Sequence, residues 1–278
     1  SDATALILSR KSENHLHEAV EQQIKKLVQH TAEIPKSELS KIRKILDEGS
    51  LEKVTFALDL LDSLGAGDED YAKLFTKTRI KKLISGDSLM FNFLAGRLNQ
   101  FKSALLNFKE AVNGLPPNTL KHMIAELTEL SDGAAKILSG LNWNGLNLNG
   151  YNEEGGPTFI SDDAAKSLSK FDGSLYLNLK EISDKSAESL SKHKGGSLSI
   201  NALTELSDAA AESLSKHKGD LFLDGVTFLS DAAVKSLSKC KCSLSLSGLT
   251  SLSDAAANSL SNCKSNSLNL SGLTSLSD

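Results

Sequence analysis

Leucines in the second half of the chain recur with two different periods. In Leu221–Asp224 and in Leu244–Ser247, a leucine stands at every second position, which is typical of a short strand with one buried face. Just before the first of these segments, Leu206, Ala210 and Leu214 are spaced four apart and share one face of a helix. The pattern therefore predicts short strands that alternate with short helices.

A Ser-Asp pair begins each predicted helix and makes the repeat visible. A serine at a helix start accepts a hydrogen bond from an unpaired amide, and an aspartate beside it lies at the positive end of the helix dipole. The pair therefore predicts a helix cap rather than a catalytic serine. After the helix, glycines such as Gly219 predict a sharp exit towards the strand. The pairs begin at Ser131, Ser161, Ser183, Ser207, Ser230, Ser253 and Ser277, and their intervals, by subtraction, are 30, 22, 24, 23, 23 and 24 residues. A nearly fixed period of this length indicates a solenoid.

One complete unit carries the pattern Leu-x-Leu-x-x-Leu-x-x-Leu-Ser-Asp. It stands at Leu244, Leu246, Leu249, Leu252, Ser253 and Asp254, and it resembles the bacterial leucine-rich repeats of the Ser-Asp-Ala-rich type. The chain departs from the common pattern, because threonines such as Thr227 and Thr250 stand where an asparagine ladder is expected. The resemblance covers residues 119–278. It implies an α/β fold, a right-handed β/α leucine-rich repeat solenoid of about six units, and a curved scaffold that binds macromolecules.

The first 115 residues show helical periodicity without the repeat. Ser37 to Gly49 and Ser50 to Gly65 each predict a helix with a serine cap and a glycine stop, and together they resemble a HEAT-type hairpin. An apolar stripe predicts one longer helix over Ser88–Asn113, and Gly114–Pro117 then predicts a boundary. The predicted domains are therefore an α-helical domain at 1–115, either a bundle or HEAT-like hairpins, and a repeat domain at 119–278. The first strand of the repeats is predicted at His122–Ile124, although the same segment also fits a helix.

Charge and hydropathy exclude some classes of function. The net charge of −4 predicts neither nucleic-acid binding nor attachment to an anionic membrane surface. No run of about 18 apolar residues predicts a membrane span, so no membrane insertion is expected. The cysteines Cys240, Cys242 and Cys263 are too few for a secreted disulfide framework, which slightly favours a cytoplasmic location while the compartment stays open.

One column of equivalent positions contains side chains that bind metals. It consists of His193, His217, Cys240 and Cys263. Because equivalent positions of a solenoid form a line, they do not converge tetrahedrally as zinc requires. We therefore predict no metal and no cofactor, and we note that Cys240 and Cys263 of adjacent units approach disulfide distance. No nucleophile–base pair or carboxylate pair is found, so no catalytic residue is predicted.

The predicted binding surface is the strand face that points away from the core. Its middle column consists of Asn147, Tyr176, Ser199, Phe222, Ser245 and Asn269, and its next column of Asn149, Asn178, Asn201, Asp224, Ser247 and Ser271. The aromatic and large polar members predict a binding face, although the preference of strands for aromatic residues gives an equally good explanation. The 30-residue interval predicts an insertion loop with Tyr151, Glu153 and Glu154, which either binds or is merely tolerated.

These observations predict a non-catalytic scaffold that binds a protein partner of unknown identity through its concave strand face. The alternative is a structural, self-associating segment of a larger repeat protein. The chain stops at Ser277-Asp278, where the next helix should begin. We therefore expect the native protein to continue with further repeats, and the uncapped last unit to favour self-association.

Overall fold

The computed structural model describes residues 34–150 and 155–276, and their elements belong to the α/β class. These residues form two compact regions. The helical region contains the described residues up to Leu83 together with Gln100–Ala111, and the repeat region contains Ile84–Asn99 together with the described residues from Val112 onward. No described helix is long and apolar enough to cross a membrane.

Among the described residues, seven helices precede the first helix that begins with a Ser-Asp pair. They are α1 Lys36–Glu48, α2 Leu51–Ser63, α3 Asp68–Leu74, α4 Lys77–Ile84, α5 Ser88–Leu98, α6 Lys102–Asn113 and α7 Pro117–Ala125. The predicted cap at Ser50 is confirmed, because its hydroxyl accepts from the amide of Lys53 at 3.3 Å. The predicted cap at Ser37 is wrong, because α1 already begins after Pro35. The predicted stop at Gly49 is confirmed by its left-handed backbone.

The predicted single helix over Ser88–Asn113 is wrong, because the helix is interrupted between α5 and α6. The start of α6 is fixed by Asp68 at the beginning of α3. Its carboxylate accepts from the backbone amide of Ser103 at 2.8 Å and from the Ser103 hydroxyl at 2.7 Å. These hydrogen bonds hold the pKa of Asp68 below its usual value. The carboxylate of a distant segment therefore fixes the start of α6, although the sequence between α5 and α6 has no glycine or proline to signal the end of a helix.

The segment at His122–Ile124 is helical in α7, so the expected strand is wrong there and the helical alternative is correct. From Asp132 onward, helices and strands alternate. The helices are α8 Asp132–Leu138, α9 Asp162–Leu168, α10 Asp184–Ser191, α11 Asp208–Leu214, α12 Asp231–Leu237 and α13 Asp254–Ser261. The strands are β1 Gly145–Asn147, β2 Ser174–Tyr176, β3 Leu198–Ser199, β4 Leu221–Phe222, β5 Ser243–Ser245, β6 Ser251–Leu252, β7 Ser267–Asn269 and β8 Ser275–Leu276.

The main sheet is parallel and follows the order of the chain. Its strands are paired as β1-β2-β3-β4-β5-β7, and β6 pairs separately with β8. The central leucines of the six strands stand opposite one another, from Leu146 to Leu268. Leu244 is fully buried, whereas Leu268 in the last strand is half-buried. The helices α8 to α13 also pack one against the next in chain order, so each unit contacts its neighbours in sequence.

The cap serines connect the units as well as beginning the helices. The hydroxyl of Ser207 accepts from the amide of Ala210 at 3.0 Å and donates to the carboxylate of Asp184 in the preceding unit at 2.6 Å. The same link to the preceding aspartate is made by Ser161, Ser183, Ser230 and Ser253. We call this series the serine–aspartate ladder. One side chain thus satisfies a helix end and joins two neighbouring units.

The first cap serine, Ser131, has a different partner. Its amide donates to Asn92 Oδ1 at 2.7 Å, and its hydroxyl donates to the Asn92 carbonyl at 3.0 Å. Asn92 belongs to α5, which packs against α8. A Cβ atom placed on Gly133 of α8 would stand 1.8 Å from the carbonyl oxygen of Ala95 in α5. Helix α5 therefore occupies the position of a preceding unit and covers the first end of the array.

The glycines after the repeat helices were predicted to allow a sharp exit towards the strand, but their role in the structure is a different one. Gly219 does not have the left-handed backbone of a helix stop. A Cβ atom at Gly219 would instead lie 1.9 Å from the carbonyl oxygen of Gly196. The glycine is required because the backbones of neighbouring units approach each other closely at this point.

Candidate functional site: the strand face

The outward positions of the sheet form one continuous row. Strand pairing aligns Asn147 with Tyr176, Tyr176 with Ser199, and so on through Phe222 and Ser245 to Asn269. The row therefore consists of the six residues of the middle column, in the order of the chain.

Large and small side chains alternate in the centre of this row. The Tyr176 side chain is 37% exposed and that of Phe222 is half-buried, whereas Ser199 between them is buried. Neighbouring strands are spaced by about 4.8 Å, so the backbones of Tyr176 and Phe222 are about 10 Å apart across Ser199. We call the two rings and the buried serine between them the aromatic slot.

Polar groups beside the slot are connected by hydrogen bonds from unit to unit. The side-chain amide of Asn269 donates through Nδ2 to the Ser245 hydroxyl at 3.0 Å, and that hydroxyl donates to the carboxylate of Asp224. The same carboxylate oxygen accepts from the amide and the hydroxyl of Ser247 at 3.1 and 2.8 Å. Asn201 Oδ1 accepts from the amide of Asp224 at 3.3 Å. These residues of the predicted site therefore connect strands while their remaining surface faces outward.

Two asparagines of the predicted site are less accessible. Asn178 is 5% exposed, and its amide donates to the carbonyl of Gly155. Asn149 is half-buried, and its backbone amide donates to Asn147 Oδ1 at 2.8 Å. The side chain of Asn178 is occupied within the protein, so it contributes to the shape of this end of the face rather than to a free polar surface. The insertion-loop residues Tyr151, Glu153 and Glu154 lie outside the described residues.

Two exposed aromatic residues were missed from the sequence. Phe159 is 57% exposed and Phe228 is 69% exposed, and both stand one residue before the Leu/Ile-Ser-Asp segment of their units. Other units have Glu129, Glu181 or Glu205 at this position. An alignment of the units would have found them, because an aromatic residue is a visible exception in a column that otherwise has glutamates and the serines Ser251 and Ser275.

The column of histidines and cysteines is buried from His193 to Cys240, and Cys263 is half-buried. The imidazoles of His193 and His217 stack with centroids 5.7 Å apart, and His193 Nε2 lies 2.9 Å from the carbonyl oxygen of Gly173. Cys240 is joined to Cys242 by a disulfide with a Cα–Cα distance of 5.6 Å, and Cys263 has a free thiol. The disulfide considered between Cys240 and Cys263 is therefore not formed, because Cys242 of the same unit is the partner. Across residues 34–150 and 155–276, no three potential ligands are placed to hold a metal ion.

Burial lowers the pKa of both stacked histidines, and this effect exceeds the opposing influence of the Asp172 and Asp220 carboxylates. For His217, the neighbouring imidazole of His193 lowers the pKa further. Both rings are therefore neutral in the folded protein at pH values where unfolded histidines, with a pKa of about 6.5, are already taking up protons.

We expect this difference to make the protein less stable in mild acid. The unfolded state binds more protons below about pH 6.5, so the free energy of unfolding falls as the pH decreases from 7.5 to 5.5. Phe171 occupies the equivalent position one unit earlier, so His193→Phe with His217→Phe is a matched variant. Urea unfolding at the two pH values should show a smaller loss for this variant than for the wild type. An equal loss in both proteins would contradict the assignment.

The comparisons identify no relative that assigns a function to this geometry. No protein-family model, characterised protein or solved structure matches the chain.

Proposed function

We propose that the chain is a non-catalytic binding scaffold that recognises a protein partner through the aromatic slot of its strand face. In this proposal the repeat region is a right-handed leucine-rich repeat solenoid. The parallel strands that follow chain order, with a helix between each successive pair, support the solenoid. The unbroken row of buried leucines, from Leu146 to Leu244, supports it further.

The observation that carries the binding proposal is the aromatic slot itself. Tyr176 and Phe222 flank a buried serine on a face that is otherwise covered by small polar side chains. Aromatic residues in well-packed pockets contribute a large share of the affinity at protein interfaces, because they bury much area with little loss of side-chain freedom. A rigid sheet fixes the two rings before binding, which lowers the entropic cost of association.

Removal of both rings should strongly weaken partner binding. The variant Tyr176→Ser with Phe222→Ser gives both positions the residue that the row already has at Ser199 and Ser245. Each ring is expected to contribute about 1–2 kcal/mol, so the affinity should fall at least about tenfold. The measurement is affinity capture with the intact chain, followed by titration of the purified captured protein against wild type and variant, with melting temperatures recorded for both.

The chain offers a matched control for non-specific binding through exposed aromatic side chains. Phe159→Ser with Phe228→Ser removes two aromatic rings that are more exposed than Tyr176 but lie outside the row. A partner that engages the aromatic slot should bind this control variant as tightly as the wild type. If the control loses binding and the slot variant retains it, the strand face is not the binding surface.

A further inference from the structure

Lysines stand on both sides of the buried column described above. One row consists of Lys170, Lys192, Lys216 and Lys239, and the other of Lys194, Lys218, Lys241 and Lys264. All eight lysines are exposed, whereas His193, His217 and Cys240 between the two rows are buried, and Asp172 takes the place of the second lysine after the buried Phe171. A buried residue between two lysines fixes the chain, so both ammonium groups remain on the surface. We call the two rows the lysine edge; it follows the C-terminal ends of helices α9 to α13.

A groove of about 950 Å³ lies on the lysine edge between the ends of α10 and α11. It is lined by Lys192, Lys194, Lys216 and Lys218 together with Glu188, Glu212 and four uncharged residues. Lys192 and Lys216 form exposed ion pairs with Glu188 and Glu212 at 2.8 and 3.1 Å. Lys194 and Lys218 form no ion pair with any described residue. Two lysines of the groove are therefore free to bind a negatively charged ligand.

The positive charge continues without neutralisation into the next units. At the helix position of Glu188 and Glu212, α12 has Lys235 and α13 has Asn258. Lys239 and Lys241 likewise form no ion pair within the described residues. The opposite, N-terminal ends of the helices carry the aspartates of the serine–aspartate ladder. The small net charge of the whole chain therefore conceals one acidic and one basic edge.

We propose that the lysine edge binds an extended, acidic segment of a partner protein. Alternate residues of an extended peptide lie on the same side and are about 6.6 Å apart. The lysines of successive units are separated by a distance between the strand spacing of about 4.8 Å and the helix spacing of 8–10 Å. The carboxylates of every second residue of an acidic peptide can therefore reach the lysines of successive units.

Two observations favour a peptide over nucleic acid. No arginine follows Arg97 in the sequence, so the edge has no planar group for bidentate contact with phosphate. The exposed aromatic residues of the repeat region lie on the strands or before the helix starts, and Phe171 on the edge is buried. Single-stranded nucleic acid is held by stacking of its bases as well as by charge, and the lysine edge provides charge alone.

The test uses a fluorescently labelled oligoglutamate of ten residues and the intact chain at low ionic strength. We expect Lys194→Glu with Lys218→Glu to weaken binding at least about tenfold, measured by fluorescence anisotropy. The control variant, Lys180→Glu with Lys185→Glu, makes the same change in net charge at two exposed lysines outside the edge. It should weaken binding by less than about twofold, because surface charges at a distance are screened. Circular dichroism melts verify that both variants are folded.

Each other result overturns the proposal. The lysine edge is not a specific site if oligoglutamate does not bind the wild type, or if the edge variant and the control variant lose the same amount of affinity. The same assay is repeated with an oligothymidylate of equal length and with anionic lipid vesicles. If either binds the wild type more tightly than oligoglutamate does, and loses this binding in the Lys194→Glu, Lys218→Glu variant, the ligand belongs to a different class. The slot variant at Tyr176 and Phe222 should bind oligoglutamate as the wild type does, so the two proposals fail independently.

Discussion

Replacement of Gly133 by alanine should lower the free energy of unfolding by about 3 kcal/mol. The new methyl group would lie 1.8 Å from the carbonyl oxygen of Ala95 and 2.9 Å from the amide nitrogen of Gly96. Both atoms belong to the backbone of α5, which has no rotamer to relieve the overlap. Helices α5 and α8 must therefore separate, and the hydrogen bonds between Ser131 and Asn92 are stretched with them. Urea unfolding of the intact chain, followed by circular dichroism, measures the loss.

Asp163→Ala provides the matched control, because it places alanine at the same position in the next helix. Asp163 is exposed, and three later helices already have alanine there. Only a carboxylate near a helix start is lost, so the change should be within about 1 kcal/mol. If Gly133→Ala and Asp163→Ala have equal effects, the close packing of α5 on α8 is wrong.

Replacement of Ser207 by alanine should lower the free energy of unfolding by about 1–2 kcal/mol. The helix cap alone is worth about 1 kcal/mol, and the bond to the Asp184 carboxylate adds a charge-assisted contribution that exposure to solvent reduces. Ser207→Thr retains a hydroxyl and should restore most of the loss. Ser215→Ala is the control, because its hydroxyl donates only to the Glu212 carbonyl of its own helix.

A double-mutant cycle separates the ladder from the cap. Asp184→Ala removes the partner of Ser207 in the preceding unit while the cap geometry of α11 remains. The two substitutions should have a coupling energy of about 0.5–1 kcal/mol, because each removes the same hydrogen bond. Purely additive effects would contradict a stabilising link between the units.

Local sequence was sufficient to predict the starts of the repeat helices. A serine cap needs only its own helix, and the hydroxyl of Ser207 indeed accepts from the amide at the third helical position. The second bond of the same hydroxyl was not predicted. It depends on the distance between Ser207 and Asp184, which are 23 residues apart, and the packing of neighbouring units sets that distance.

The elements before the repeats were harder to predict for the same reason. The apolar stripe is continuous through the break between α5 and α6, and the hydrogen bonds of Asp68 that begin α6 come from 35 residues away. Periodicity also could not distinguish strand from helix at the short segment that became α7. Long-range contacts, rather than local preference, decided both cases.

The strand face shows the same division between local and distant information. Alternation along each strand was enough to find the residues of the row, because side chains of a strand point to opposite faces in turn. Which of them remain accessible depends on neighbours in other units. Ser199 is buried between the strands that carry Tyr176 and Phe222, and the Asn178 side chain is buried where it donates to the Gly155 carbonyl.

The serine–aspartate ladder has a direction, since a hydroxyl has one proton and each serine donates it to the unit before its own. Each unit in the ladder therefore offers an aspartate carboxylate to the unit that follows it and a serine hydroxyl to the unit that precedes it. Removal of Asp208–Ser230 would join Ser207 directly to Asp231, and the shortened chain would still cap α12 and offer Asp231 to Ser253. The ladder therefore does not fix the number of units. Gene duplication or deletion can lengthen or shorten the ladder in whole units without a new serine or aspartate.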